Sequence, residues 1–177
     1  MDEVVLVDIH DQPTGTMEKM AAHQTPNLHR AFSVFLFDRN NNMLLQQRAH
    51  VKYHSGGLWT NACCSHPKPG ETTISAAKRR LSEELGMQAD IAFAFDFIYQ
   101  VAFENGLHEF EYDHVFTGIY EGELNPDPNE VAAWCYKSLA EIKADLKANP
   151  ASYTEWFKIA LPRLEAHLSA NEMALEN

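Results

Sequence analysis

Trp59-Thr60-Asn61-Ala62-Cys63-Cys64-Ser65-His66-Pro67, then Gly70-Glu71, then Arg79-Arg80-Leu81-Ser82-Glu83-Glu84-Leu85-Gly86 is the stretch on which the reading of this chain turns. Its first half places a Cys-x-His in a turn-rich segment. Its second half reads as a helix, because Ile74, Ala77, Leu81 and Leu85 recur at i, i+3, i+7 and i+11 and line one face. Gly86 is a natural stop, since glycine accepts the left-handed conformation just past a helix end. Thr72 or Thr73 can cap the start. The charges run against the helix dipole: Arg79 and Arg80 lie mid-helix and Glu83 and Glu84 in the last turn. Each such carboxylate costs about 0.3–1 kcal/mol unless something offsets it. The pairs Arg79–Glu83 and Arg80–Glu84 are spaced i, i+4, in the weaker orientation. Such a run is either a solvated charged face or a site for a cation and phosphate, and local rules fail most often at functional sites.

The chain around this stretch has 177 residues, enough for one domain with a real core. Apolar residues make up 45%, which suits a globular protein. The net charge of −11 argues against a general nucleic-acid or membrane binder. An anionic substrate would need a local basic pocket or a bound cation. Three cysteines, Cys63, Cys64 and Cys135, without a disulfide pattern suit a reducing cytosol. Val4–Val7 is too short for a signal peptide, and no segment approaches the ~20 apolar residues of a membrane span.

Before the central stretch, Val4–Asp8 is a strand candidate, Pro13–Gly15 a turn, and Met17–His23 a short helix carrying Lys19. His23 and His29 flank a Pro26-Asn27 break. Ala31–Asp38 is a nearly continuous apolar run, predicted as a buried strand. Asn40-Asn41-Asn42 turns the chain, and Met43–Arg48 returns as the second strand of a hairpin. Arg48 and Lys52 then lead into a loop with Gly56-Gly57; a basic pair there is either solvated or able to bind phosphate.

After the helix, Phe93, Phe95, Phe97, Tyr99, Val101 and Phe103 alternate, a strong strand signal. Asn105-Gly106 is a favoured hairpin turn. The returning strand, Leu107–Thr117, puts Phe110, Tyr112 and His114 on one face and Glu109, Glu111 and Asp113 on the other. Glu109 and Glu111 stand ~7 Å apart along the strand. They form either an outer polar face or, if turned inward, a pair that needs a partner such as a cation. Val131–Tyr136 is a further strand, Leu139–Ala148 a helix, and a helix over about 153–170 carries Phe157, Leu161, Leu164 and Leu168 on one stripe. Pro162 is a possible kink within it, and the tail from Asn171 is expected to fray. Trp156 falls off the centre of the stripe, as core or as pocket wall. Strands with few helices and no βαβ repeat predict an α+β fold, an α/β/α layering of mixed sheet.

Three imidazoles (His23, His29, His66) with Glu109, Glu111 and a neighbouring cysteine suit a borderline divalent ion such as Mn²⁺, Mg²⁺ or Zn²⁺. A structural zinc site would be richer in thiolate, and adjacent Cys63 and Cys64 lack the Cys-x₂-Cys spacing.

Glu71, Arg79, Leu81, Glu83, Glu84 and Gly86 together resemble the Nudix box of Nudix hydrolases. Two positions depart from it: Arg80 stands where the box has Glu, and Ser65 where it has its first Gly. Losing that Glu argues against hydrolysis. Thr60-Asn61-x-x-Cys64-x-His66-Pro67, the two N-terminal histidines and Glu109-x-Glu111 resemble type I isopentenyl diphosphate isomerase, a modified Nudix fold, over about Val4–Leu161. The resemblance implies one Nudix-like domain over 1–177, with the N-terminal 1–30 contributing two histidines. It implies that His23, His29, His66, Glu109 and Glu111 hold one divalent metal and that Glu84 holds a second, Mg²⁺, on the substrate diphosphate. It places Lys19, Arg48, Lys52 and Arg80 on the diphosphate and Tyr99 and Trp156 at the hydrocarbon end. Cys64 and Glu111 would be the proton-transfer pair, with donor and acceptor left open, and Cys63 has no assigned role. The implied activity interconverts isopentenyl and dimethylallyl diphosphate through a tertiary carbocation, in a cytoplasmic enzyme, monomeric or homodimeric, with no nucleic-acid or membrane partner. The alternatives are a Nudix pyrophosphohydrolase and a non-catalytic, metal-stabilised binding module.

Overall fold

The computed structural model describes residues 2–175, and its centre is a parallel pair of strands, β3 (His29–Phe37) and β8 (His108–Ile119). The apolar run of β3 is buried on both faces, which is what lets it sit mid-sheet. On one side β8 pairs antiparallel with β7 (Ile91–Ala102) through the Asn105-Gly106 turn. On the other, β3 pairs with β6 (Cys63–Ser65) and touches β4 (Asn42–Arg48) at Phe37–Met43 alone. The expected β3–β4 hairpin therefore splays at once, and β4 runs instead beside β9 (Val131–Ser138) and β5 (Trp59–Thr60). An N-terminal pair, β1 (Glu3–Val7) and β2 (Pro13–Glu18), adds to β3 through Leu6–His29.

Helix α2 (Thr73–Leu85) covers one face of this mixed sheet, and α3 (Leu139–Ala148) and α4 (Glu155–Leu175) cover the other. Along β3 the side chains alternate: Phe32, Val34 and Leu36 pack under α2, and Phe35 packs with Phe157, Leu161 and Leu164 of α4. This is the expected α/β/α layering. Thr72 caps α2 by accepting the Ser75 N–H, and Gly86 closes it at φ 62°. A Cβ there would meet the Asn125 carbonyl oxygen at 2.4 Å, so the position requires glycine twice over.

Several local expectations are corrected. Pro13–Gly15 is not a turn but the start of β2, an edge strand where a missing N–H goes unnoticed. The turn lies earlier, where the Asp8 carboxylate accepts the N–H groups of His10 and Gln12. Helix α1 spans Lys19–Gln24 rather than Met17–His23. Ile74, in the first turn of α2, is 37% exposed, whereas Ala76 and Ala77 after it are buried. Phe93 is 54% exposed: a bulge between Phe93 and Phe95 turns it away from the face that carries Phe95 and Phe97. The last helix starts at Glu155 and continues past Asn171 to Leu175 with Pro162 inside it. Among the described residues no helix is long and apolar enough to cross a membrane.

Candidate active site

Strand register assembles the first part of the site. Glu111 on β8 stands opposite His29 of β3 on one side and Tyr99 of β7 on the other. The acidic face of β8 looks inward: Glu109, Glu111 and Asp113 are all buried. Strand β6 pairs Phe32 with Ser65 and so delivers the next residue, His66, to His29. Their Nε2 atoms are 3.2 Å apart, and His66 Nε2 is 2.9 Å from Glu111 Oε1. His23 arrives from α1, its ring centroid 5.1 Å from that of His29.

The proton positions on these rings are set by their outer partners. His23 Nδ1 lies 2.7 Å from the Lys19 carbonyl and His29 Nδ1 lies 2.8 Å from the Asn27 carbonyl. A carbonyl only accepts, so each Nδ1 carries the hydrogen and each Nε2 turns a lone pair inward. His23 Nε2 is buried with no protein partner. Donor atoms of His23, His29, His66 and Glu111 all lie within 4.8 Å of one another. Lone pairs converging at this spacing, with a carboxylate among them, fit a divalent cation. Glu109 belongs to a different grouping, with His23 and His54. Its Oε2 accepts from the Tyr99 hydroxyl at 3.0 Å, and the same hydroxyl lies 2.6 Å from Glu111.

Burial acts oppositely on the groups here. It holds the His66 imidazole neutral, pushed down to about 3 against the Glu111 hydrogen bond that favours its charge. Burial also opposes ionisation of Glu111, but the rings of His29 and His66 outweigh it and hold this carboxyl well below the usual range. Glu109, buried and facing the Glu111 charge, is pushed well up.

Cys64 lies on the same face of the sheet. Its thiol donates to Asn61 Oδ1 at 3.1 Å and sits 3.3 Å from Ser33 Oγ, which donates to Asp113 at 2.7 Å. Asn61 is fixed by its own donations to the carbonyls of Val34 and Cys63, so its oxygen must face the thiol. Burial and the Asp113 charge raise the Cys64 thiol, which stays protonated. Cys63 points to the opposite face, into the core beneath α2.

The other end of the same pocket is cationic, lined by Lys19, Arg48, Lys52 and Arg80. Arg80 reaches the buried Glu84 at 2.6 Å, and Gln46 donates to Glu84 at 2.9 Å. Glu130 pairs with Lys52 and lies 3.3 Å from Arg80. The Arg48 guanidinium sits 5.1 Å from the centre of the Trp156 ring, and Trp156 is 4% exposed. At the end of α2, Glu83 is offset by Arg79 and Arg80 and Glu84 by Arg80, and Arg79 also forks onto Glu71.

The sequence profile of the NUDIX domain matches residues 27–157. Isopentenyl-diphosphate Delta-isomerase 2 of Aromatoleum aromaticum is 46% identical over 170 residues, covering 96% of this chain and 90% of the relative. Isopentenyl-diphosphate Delta-isomerase 2 of Photorhabdus laumondii is 48% identical over 159 residues, covering 89% and 90%. The chain belongs to the isopentenyl-diphosphate Delta-isomerase family, within the NUDIX domain family. A crystal structure from Deinococcus radiodurans superposes with a TM-score of 0.75 at 16% identity, covering 91% of this chain and 98% of that one. A MutT NUDIX hydrolase from Burkholderia pseudomallei gives 0.59 at 20% identity, covering 76% and 96%. These two show the fold alone.

Of the residues expected for an isopentenyl-diphosphate Delta-isomerase, twelve line this one pocket: Lys19, His23, Arg48, Lys52, Cys64, His66, Arg80, Glu84, Tyr99, Glu109, Glu111 and Trp156. His29 is fully buried behind them, in contact with His66 and Glu111. Tyr99 stands between the two carboxylates. Gln46, Tyr53, His54 and Glu130 also line the pocket without any sequence signal having marked them as members. The Tyr53-His54 pair beside Lys52, in an otherwise glycine-rich loop, was the cue available. Ser33, Asn61 and Asp113 act from behind Cys64.

Proposed function

We propose that this protein interconverts isopentenyl diphosphate and dimethylallyl diphosphate by adding a proton to one end of the double bond and removing one from the other side. The observation that carries the reading is the meeting, in one pocket, of a half-buried free thiol, Cys64, and a buried carboxylate, Glu111. Protonating an unactivated alkene needs an acid held close, aligned and away from water. Cys64 and Glu111 would be the two proton-transfer groups, one donating to the alkene and the other accepting a proton. The tertiary carbocation between the two steps would face the Trp156 ring.

His23, His29, His66 and Glu111, with Glu109 adjoining, would hold a Mn²⁺, Mg²⁺ or Zn²⁺ ion whose charge fixes Glu111 and tunes its acidity. Glu84 would hold Mg²⁺ on the diphosphate, and Lys19, Arg48, Lys52 and Arg80 would bind the remaining phosphate oxygens. This local cationic end offsets the net charge of −11 toward a dianionic or trianionic ligand. Tyr99 orients both carboxylates through one hydroxyl. Arg80 counts against pyrophosphate hydrolysis, since it stands where a hydrolase of this fold has a carboxylate. A free Cys64 thiol suits a reducing compartment such as the cytoplasm.

Steady-state turnover of isopentenyl diphosphate tests the assignment. Cys64→Ala and Glu111→Gln each abolish turnover while the chain stays folded by circular dichroism. A fully active variant of either kind overturns the role given to that residue.

A further inference from the structure

We propose that Glu130 is a positioning residue, which holds Lys52 and Arg80 side by side so that the two cations meet the substrate diphosphate already oriented. Glu130 ends the loop before β9 and bridges two elements that are far apart in sequence. Its carboxylate pairs with Lys52, from the loop between β4 and β5, and its Oε1 lies 3.3 Å from Arg80 Nη2, in the middle of α2. Lys52, Arg80 and Glu130 all line the pocket, with side chains 22%, 20% and 23% exposed. A bridge so far withdrawn from water is screened less than a surface pair. Burial opposes the Glu130 charge, but the Lys52 and Arg80 contacts outweigh it and hold the carboxyl below its usual range.

The backbone fixes where this carboxylate stands. The Asn125 N–H donates to the Leu85 carbonyl and the Asp127 N–H to the Glu84 carbonyl, each at 2.9 Å, so the loop takes up carbonyls that the end of α2 leaves open. Within the loop, the Asp127 carboxylate accepts the Asn129 N–H at 2.9 Å, and the Asp127 carbonyl accepts the Glu130 N–H at 2.9 Å. The Glu130 carbonyl accepts the Ala49 N–H at 2.9 Å, and Val131 pairs with Arg48. Glu130 is thus tied both to the helix that carries Arg80 and to the strand end that leads to Lys52.

Two cations brought together repel, and Lys52 has a long, flexible stem. Without an anion between them they would separate, and a ligand would have to gather them at a cost in affinity. An ammonium and a guanidinium carry more donors than these contacts use, so each can hold Glu130 and a phosphate oxygen at once. A negative charge at this place also repels the diphosphate. The two consequences of removing it have opposite signs, and the measured sign decides between them.

The inference rests on the reading of Lys52 and Arg80 as diphosphate contacts and not on the isomerase chemistry. Calorimetric titration of the full chain with inorganic pyrophosphate and Mg²⁺ tests it, in wild type, Glu130→Gln, Lys52→Met and the double variant. Glu130→Gln is expected to weaken binding roughly tenfold, with the fold intact by circular dichroism. In the Lys52→Met background the same change should weaken it less than about threefold, because a group it acts through is gone. Unchanged or tighter binding by Glu130→Gln overturns the proposal, and so does an undiminished effect in the Lys52→Met background. A wild type that does not bind pyrophosphate overturns the diphosphate reading and this inference together. Where isopentenyl diphosphate turns over, KM rises in Glu130→Gln while kcat holds, and a fall in kcat alone contradicts a positioning role. If Glu130→Gln fails to fold, Glu130→Asp, shorter by a methylene, takes its place in the same cycle; weaker binding is expected, and wild-type binding overturns the proposal.

Discussion

His29 and Glu111 are direct neighbours across the parallel β3–β8 pair, and Tyr99 is the neighbour of Glu111 on the other side. Three residues far apart in sequence thus meet in one row because the strand register is set, and the Tyr99 hydroxyl closes the row on Glu111 at 2.6 Å. Tyr99→Phe removes this hydroxyl from between two buried carboxylates and takes the short hydrogen bond from Glu111. A hydrogen bond to a charged group contributes about 1.5–3 kcal/mol, so we expect kcat to fall by roughly ten- to a hundredfold with KM changed far less. Steady-state kinetics measure both; an unchanged kcat would contradict the placement of Tyr99.

Arg80 and Glu84 form a pair in which Glu84 is nearly excluded from water, with side-chain exposures of 20% and 8%. Removing one partner of such a pair leaves the other charge stranded, at a cost of about 3–5 kcal/mol. Arg80→Ala is expected to lower the melting temperature and to raise KM for the diphosphate. Arg80→Lys keeps the charge but loses the two-pronged grip, and falls between. A melting temperature equal to wild type in Arg80→Ala would show that Gln46 alone supports Glu84.

Acid should destabilise the protein through its histidines. Burial is the main cause that pushes His54 and His66 down to about 3 from 6.5, and it lowers His23 as well. The unfolded chain binds these protons first, so the stability they contribute is complete above pH about 6.5 and is lost progressively as pH falls toward 3. Urea melts between pH 7.5 and 4.5 should show falling stability. His54→Phe should flatten the slope by up to one proton's worth, about 1.4 kcal/mol per pH unit. An identical slope would mean that His54 is not held neutral.

Gly86→Ala tests the end of α2. The left-handed backbone costs an L side chain about 1–2 kcal/mol, and the contact with the Asn125 carbonyl oxygen at 2.4 Å adds to it. Loss of stability by thermal melt is expected; a neutral effect would mean that the Asn125 loop yields freely.

The parts of this molecule that were legible in the sequence are those with local physical signatures. Thr72 and Gly86 bracket α2, and the period-2 runs of β7 and β8 announce a hairpin around Asn105-Gly106. The inward turn of Glu109 and Glu111 was one of two open readings, since alternation shows that residues share a face but not which face is buried. Strands β5 and β6 are two and three residues long, too short for any period to show. The bulge that turns Phe93 outward leaves no mark in an unbroken alternation. His54 and Glu130 enter the site from loops, where only the tertiary fold decides what a side chain meets.

The most direct measurement is incubation of the protein with isopentenyl diphosphate and Mg²⁺ in D₂O, followed by proton and phosphorus NMR. Deuterium is expected in dimethylallyl diphosphate with the diphosphate intact, and no deuterium incorporation with Cys64→Ala. Release of phosphate or a monophosphate, or no change in either spectrum with metal bound, would contradict this.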